Sequence, residues 1–161
     1  MVKTLPPTEW QSMPNVANKT AFNAAMRAYA KLKQTNPSIN PFITHVVVDI
    51  GASANFASAM VEKCPTLTRS RASQFGYWDS VKGGPLSVND MCKLQGFHAH
   101  QLNWDGVTPG QFAGCLGNGI SVAVMNRILP DLFFIAGKIT KVQRNLLRQR
   151  AEIHRLSLAT E

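Results

Sequence analysis

Hydrophobic positions change period along this chain, and each change marks an element. Phe22, Ala25, Met26, Tyr29 and Leu32 recur at threes and fours, which predicts a helix from about Asn18, its cap, to Gln34. Lys19, Arg27, Lys31 and Lys33 lie mostly off that face, as expected for a docking helix with a solvated basic side. Asn36-Pro37 and Asn40-Pro41 then break the pattern. Ile43 to Ile50 is a β-branched run of buried-strand character, leading into Asp49-Ile50-Gly51. Asp-x-Gly after a strand is also how many nucleotide-binding turns begin, but the second strand such a turn needs about 20 residues on, ending in an acidic residue, is replaced by Cys64-Pro65-Thr66-Leu67-Thr68 with no acid from there until Asp79, and a structural turn is the preferred reading. Ala54 to Lys63 reads as a short helix burying Phe56 and Met60. Ser87, with Asp90 three residues on, starts a helix that Gly96 stops.

Further on, Leu116 to Pro130 places a Gly117-Asn118-Gly119 turn before an apolar helix striped by Ile120, Val124 and Ile128, with Pro130 as its end. Glycines at such a joint let a backbone approach a ligand closely. From Asp131 to Glu161 one long helix is expected. Leu132, Ile135, Ile139, Val142, Leu146, Ile153 and Leu156 would form its coiled-coil-like seam, weakened at Gly137. That seam either docks on its own chain or binds a partner, including a second copy through residues 132–156.

Charge changes the picture next. The chain of 161 residues carries a formal +8, divided as +4 over residues 1–42, +1 over 43–130 and +3 over 131–161. A basic balance of this kind points to a polyanionic partner or to an ordinary basic surface. The most polar stretch, Thr66 to Trp78, holds Thr66, Thr68, Arg69, Arg71 and Gln74 with no acid among them. Hydroxyls and guanidinium groups contact phosphate, and arginine and glutamine also read base edges. A binding loop and a surface loop fit it equally. Cys64, Cys92 and Cys115 are odd in number with no paired spacing, which fits reduced thiols inside a cell, nucleus or cytoplasm. His98 and His100 alone do not make a metal site. No run approaches a membrane span, and the leading residues do not read as a secretory signal.

Three segments in order then carry a resemblance: Pro65-Thr66-Leu67-Thr68, then Leu86-Ser87 with Leu94-Gln95-Gly96-Phe97, then Gly117-Asn118 opening an apolar helix. Together they resemble the carboxy-terminal end of DNA (cytosine-5) methyltransferases, over roughly residues 43–130. The first segment is similar to the close of the target-recognition region, the second to motif IX and the third to motif X. Gly84-Pro85, Asp90 and His98 stand where that family usually has arginine, glutamate and proline.

The resemblance implies an α+β chain: the recognition region plus terminal helices of a Rossmann-like S-adenosylmethionine-dependent methyltransferase, with the catalytic sheet largely missing. It implies DNA as partner, with Thr66 at the DNA backbone; Thr68, Arg69, Arg71 and Gln74 of the same polar stretch are the further expected contacts, on the chemistry of their side chains. It implies a partial S-adenosylmethionine site at Gly117, Asn118 and Gly119. The family's Phe-x-Gly-x-Gly loop, Pro-Cys nucleophile and Glu-Asn-Val segment do not occur in these residues. No catalytic residue is therefore expected here. The chain is expected to be a fragment, a relic, or the recognition subunit of a split enzyme whose catalytic half lies on a second chain. A non-catalytic basic DNA-binding module and an interaction protein built on the helix seam are the alternatives. The expected layout is an N-terminal lead and basic helix over 1–42, a methyltransferase-like region over 43–130 and a basic helix over 131–161.

Overall fold

The computed structural model describes residues 19–52 and 56–159. They form a mixed α+β chain in two compact units. The first runs to Ser87 and takes up Val107–Asn118; the second comprises Val88–Gly106 and the residues from Gly119 onward.

In the first unit, helix α1 (Lys19–Thr35) is followed by strands β1 (Val46–Asp49) and β2 (Ala59–Val61), helix α2 (Arg69–Ser73), strands β3 (Tyr77–Asp79) and β4 (Gly84–Pro85), and helix α4 (Pro109–Asn118). The strands make one antiparallel sheet in the order β2-β1-β3-β4. Register decides what each face carries. Val48 lies opposite Trp78, while Val47 lies opposite Asp79 and Asp49 opposite Tyr77. Side chains alternate along a strand. One face therefore offers Val46, Val48 and Trp78, which pack with Ile50 against Ala28 and Tyr29 of α1. The other face mixes Val47 and Tyr77 with two buried carboxylates, Asp49 and Asp79. The cap expected at Asn18 lies outside the described residues, as do the side chains of Phe22, Ala25 and Met26. Lys33 Nζ donates to the Pro37 and Ile39 carbonyls (2.8 and 2.5 Å), closing the turn that follows α1.

The short helix expected over Ala54–Lys63 is not formed. Its second half is strand β2, paired to β1 with Met60 opposite Val47, and Phe56 and Met60 are exposed rather than buried. β-branched β1 supplies a ready edge, and its pairing outweighs the local helical spacing. Helix α4 was not expected at all. Its start is a reciprocal cap: the Thr108 N–H donates to Gln111 Oε1 (3.0 Å), and the Gln111 N–H donates to Thr108 Oγ1 (3.3 Å).

The second unit holds helix α3 (Val88–Gln95), a 3-10 turn at Ala99–Gln101, and helices α5 (Val122–Ile135) and α6 (Lys141–Ala159). Two sequence expectations are corrected here. Pro130 does not end the apolar helix; α5 continues through it to Ile135. Proline inside a helix costs a hydrogen bond. The next residue is held from outside, because Asp131 accepts from Arg148 and also lies 3.8 Å from Arg144, both on α6. The tail is likewise not one helix from Asp131 to Glu161. At Gly137 (φ +67°) the Lys138 N–H donates to the Phe133 carbonyl and the Gly137 N–H to that of Phe134, a Schellman stop. Thr140 and Gln143 then repeat the reciprocal cap at the start of α6 (2.8 and 3.3 Å). The expected seam is thus folded into a helical hairpin, and Leu132, Ile135, Val142, Leu146, Ile153 and Leu156 remain exposed.

Two histidines fasten α6 inside this unit. His154 Nε2 lies 2.9 Å from the Gly96 carbonyl, which can only accept, so this nitrogen carries the proton. Buried His98 stacks edge-on against His154 with ring centres 5.7 Å apart. By length and composition, Pro109–Ile135 is apolar enough to cross a bilayer, its most apolar window of 18 residues having a mean hydropathy of 1.2. It is interrupted at Gly119–Ser121, however, where backbone groups would be left unpaired in lipid.

Candidate functional site

The polar stretch Thr66–Trp78 is built onto the charged face of the sheet. Buried Tyr77 reaches across with its hydroxyl, donating to the Thr66 carbonyl (2.8 Å) and accepting from the Thr68 N–H (3.0 Å). That clamp fixes the extended lead into α2. The Thr68 carbonyl then accepts from the Ala72 N–H (2.9 Å), so Thr68 caps α2 with its backbone alone.

Helix geometry divides the candidate DNA contacts into two groups. Thr66, Arg69 and Gln74 are exposed, and Ser70 joins them. Thr68 Oγ1 is shut off from solvent. Arg71 turns inward and pairs with Asp49 (3.1 Å), whose side chain is only 5% exposed. Thr68 and Arg71 are therefore committed to holding the segment in shape. A sequence stretch lists its polar residues without saying which side of a single helical turn they occupy.

Electrostatics reinforces the division. Burial pushes the Asp49 carboxyl above the usual range; Arg71 and the Ala52 and Gly51 amides pull it down, and burial prevails. The Cys64 thiol is pushed up to about 12 by burial, with the negative fields of Asp49 and Asp79 adding to it. A thiol so placed is no nucleophile at neutral pH. Asp79 accepts from the Val81 and Lys82 amides (2.8 and 3.3 Å) and lies 2.7 Å from His45 Nδ1. Its partners are those of a turn-holding carboxylate. Gly51 sits against Gly76, donating to its carbonyl (3.1 Å), so the Asp49-Ile50-Gly51 turn serves the packing of β1 on this segment.

The Gly117-Asn118-Gly119 segment differs from its expected form. Gly117 and Asn118 are the last residues of α4, and only Gly119, Ile120 and Ser121 form the break before α5. Gly117 faces α2. A methyl group there would stand 2.6 Å from the Thr68 carbonyl carbon and oxygen, and 2.8 Å from the Arg69 nitrogen. Gly110 and Gly114 continue the same close approach, with Ser73 as their neighbour. The spacing Gly110, Gly114, Gly117 was visible in the sequence as a small-residue stripe; its meaning depended on α2 lying across it. Asn118 and Gly119 are exposed. Among the described residues no cluster of histidine, cysteine and acidic side chains fits a metal ion.

No protein-family profile, curated protein or solved structure matches this chain.

Proposed function

We propose that the chain is the recognition portion of a DNA (cytosine-5) methyltransferase, contributing one wall of the S-adenosylmethionine site. The observation that carries this reading is how the resembling segments meet. In the first unit Gly117, from the segment similar to motif X, seats on the backbone of Thr68, which closes the segment similar to the recognition region. In the second unit Gly96, from the Leu94–Phe97 segment similar to motif IX, abuts Val122 and Ala123 at the start of α5: a methyl group on it would lie 3.1 Å from each. Segments that are far apart in sequence and similar to one family's motifs thus pack in pairs.

The cofactor would supply the methyl group. Of the three residues expected to touch it, Asn118 and Gly119 have the exposure to do so: a side-chain amide for hydrogen bonding and a bare backbone for close approach. Gly117 acts by positioning them. Toward DNA, Arg69 and Gln74 present a guanidinium and an amide from opposite ends of α2, with Thr66 beside them; phosphate and base-edge contact suits all three. Attack on cytosine would fall to a cysteine on another chain. Cys64 has the wrong protonation for it; Cys92, buried with its thiol also pushed up, shares that handicap; and exposed Cys115 follows Gly114 rather than the proline of the family's Pro-Cys nucleophile.

Duplex DNA binding by the purified chain tests the reading. Arg69→Gln should weaken binding and flatten the dependence of log affinity on log salt by about 0.9, the effect of leaving one phosphate without its cation. An unchanged affinity and slope would refute the contact assignment. Cysteine-dependent methyl transfer to cytosine by this chain alone would refute the division of labour.

A further inference from the structure

The α5–α6 hairpin carries basic side chains that the recognition segment does not use. Between its helices lies a cleft of about 580 Å³. Arg127 enters it from α5, and Arg148, Glu152, His154 and Arg155 from α6. Three arginines face one carboxylate. That carboxylate is itself informative: Glu152 is held by Arg155 through Nε (3.0 and 3.1 Å) and Nη2 (2.6 Å), the forked grip that guanidinium groups also give to phosphate. Arg155 and, more weakly, Arg127 keep the Glu152 carboxyl below its usual range, so it is an anion seated in a basic cleft. Arg148 is drawn toward Asp131 at the other end.

We propose that this cleft binds the phosphodiester backbone of a nucleic acid strand, with Glu152 occupying the Arg155 fork until a phosphate displaces it. Charge fits the occupant. Arg148 and Arg155 stand on one helix, and each already holds a carboxylate, Asp131 and Glu152, in the way it would hold a phosphate oxygen. Arg127 faces them from the opposite helix, so basic groups line both walls of the cleft. A concave site suits a backbone strand; a flat anionic bilayer or a peptide with carboxylates at irregular spacing would leave part of the set unmatched. This cleft uses none of the residues of the Arg69 segment, and its assignment does not rest on the methyltransferase reading.

The experiment is fluorescence anisotropy of a short labelled duplex with the full chain, titrated between about 50 and 200 mM salt, the range over which phosphate contacts dominate. Arg127→Gln with Arg155→Gln should flatten the salt slope by about 1.8, because two phosphates are then no longer neutralised. Glu152→Gln should act in the opposite sense, tightening binding several-fold by freeing the Arg155 fork. It removes only an exposed ion pair three residues apart, so the hairpin should survive it. If the double variant fails to fold by circular dichroism, the Glu152→Gln arm decides alone. An unchanged or weakened affinity in Glu152→Gln would overturn the proposal. So would a double variant that folds yet keeps the wild-type slope. Tighter binding to poly-glutamate or to phosphatidylserine vesicles than to duplex would assign the cleft to a different partner and also overturn it. Arg69→Gln, run in parallel, should change the slope without abolishing the Glu152→Gln gain, which separates the two surfaces.

Discussion

Replacing Gly117 by alanine tests whether the α2–α4 contact is as close as the structure has it. In an ordinary helix this change stabilises by about 0.5–1 kcal/mol, because glycine has more backbone freedom to lose on folding. At Gly117 the added methyl would sit 2.6 Å from two backbone atoms of Thr68. Normal carbon contacts lie near 3.5–4.0 Å, so α2 and α4 must separate by about 1 Å. Backbone atoms cannot swing aside as a flexible side chain would. The separation also loosens Ala72, Ala113 and Leu116, all buried. Overpacking of this kind costs about 1–3 kcal/mol. The clash should outweigh the helical gain, leaving a net loss of about 1–2 kcal/mol. For a chain of this size that lowers Tm by about 2–8 °C. Gly137→Ala is the matched control, since nothing lies within 4 Å of that position and only its left-handed φ of +67° is penalised. It should cost about 1 kcal/mol and leave α2 untouched. Urea or thermal unfolding followed by circular dichroism reads both. A Gly117→Ala protein as stable as wild type, or more so, would refute the close-approach argument and leave Gly117 free for a ligand.

Two further predictions concern the charged face of the sheet. Arg71→Gln should destabilise the chain by about 2 kcal/mol at neutral pH, the figure for breaking a buried pair reduced because a third of the Arg71 side chain reaches solvent. Asp49 already has a raised folded-state pKa, so the stability linked to its proton is present at low pH and lost as pH rises through that pKa. Removing Arg71 raises it further; the penalty should shrink as pH falls through the raised value toward the ordinary range near 3.9, and urea midpoints at several pH values would show a constant penalty if Asp49 were not the partner. For the thiols, Cys115 is exposed whereas Cys64 is pushed up to about 12 and Cys92 is buried. Alkylation at mildly alkaline pH, located by mass spectrometry, should therefore modify Cys115 first; prior modification of Cys64 would contradict its burial.

Much of the local structure was legible in the residues themselves. The β-branched run Val46–Val48 reads as a buried strand, and Tyr29 and Leu32 mark the face of α1 that meets it. The stop at Gly96 and the start near Ser87 are local backbone codes. So are Thr108 with Gln111 and Thr140 with Gln143, readable signals that a search for hydrophobic period alone passes over. Gly137 with Thr140 was enough to break the tail, because a left-handed glycine followed by a cap satisfies the orphan carbonyls and amides of two helix ends at once. The candidate site was legible only as a composition: a polar stretch near residues 66–74 and glycines near 117.

What the tertiary structure alone decided is direction and partnership. Thr68 and Arg71 look like contact residues until the register of Asp49 beside Tyr77 draws one arginine inward and the Tyr77 hydroxyl clamps the backbone. Pro130 reads as a helix end until Asp131 is held by arginines on α6. Gly117 reads as a ligand turn until α2 crosses it. In each case the sequence by itself determined the intrinsic preference of a few neighbouring residues, worth about 1 kcal/mol apiece. Packing against a distant segment involves larger energies, and those contacts are set by chain topology, which local spacing does not encode.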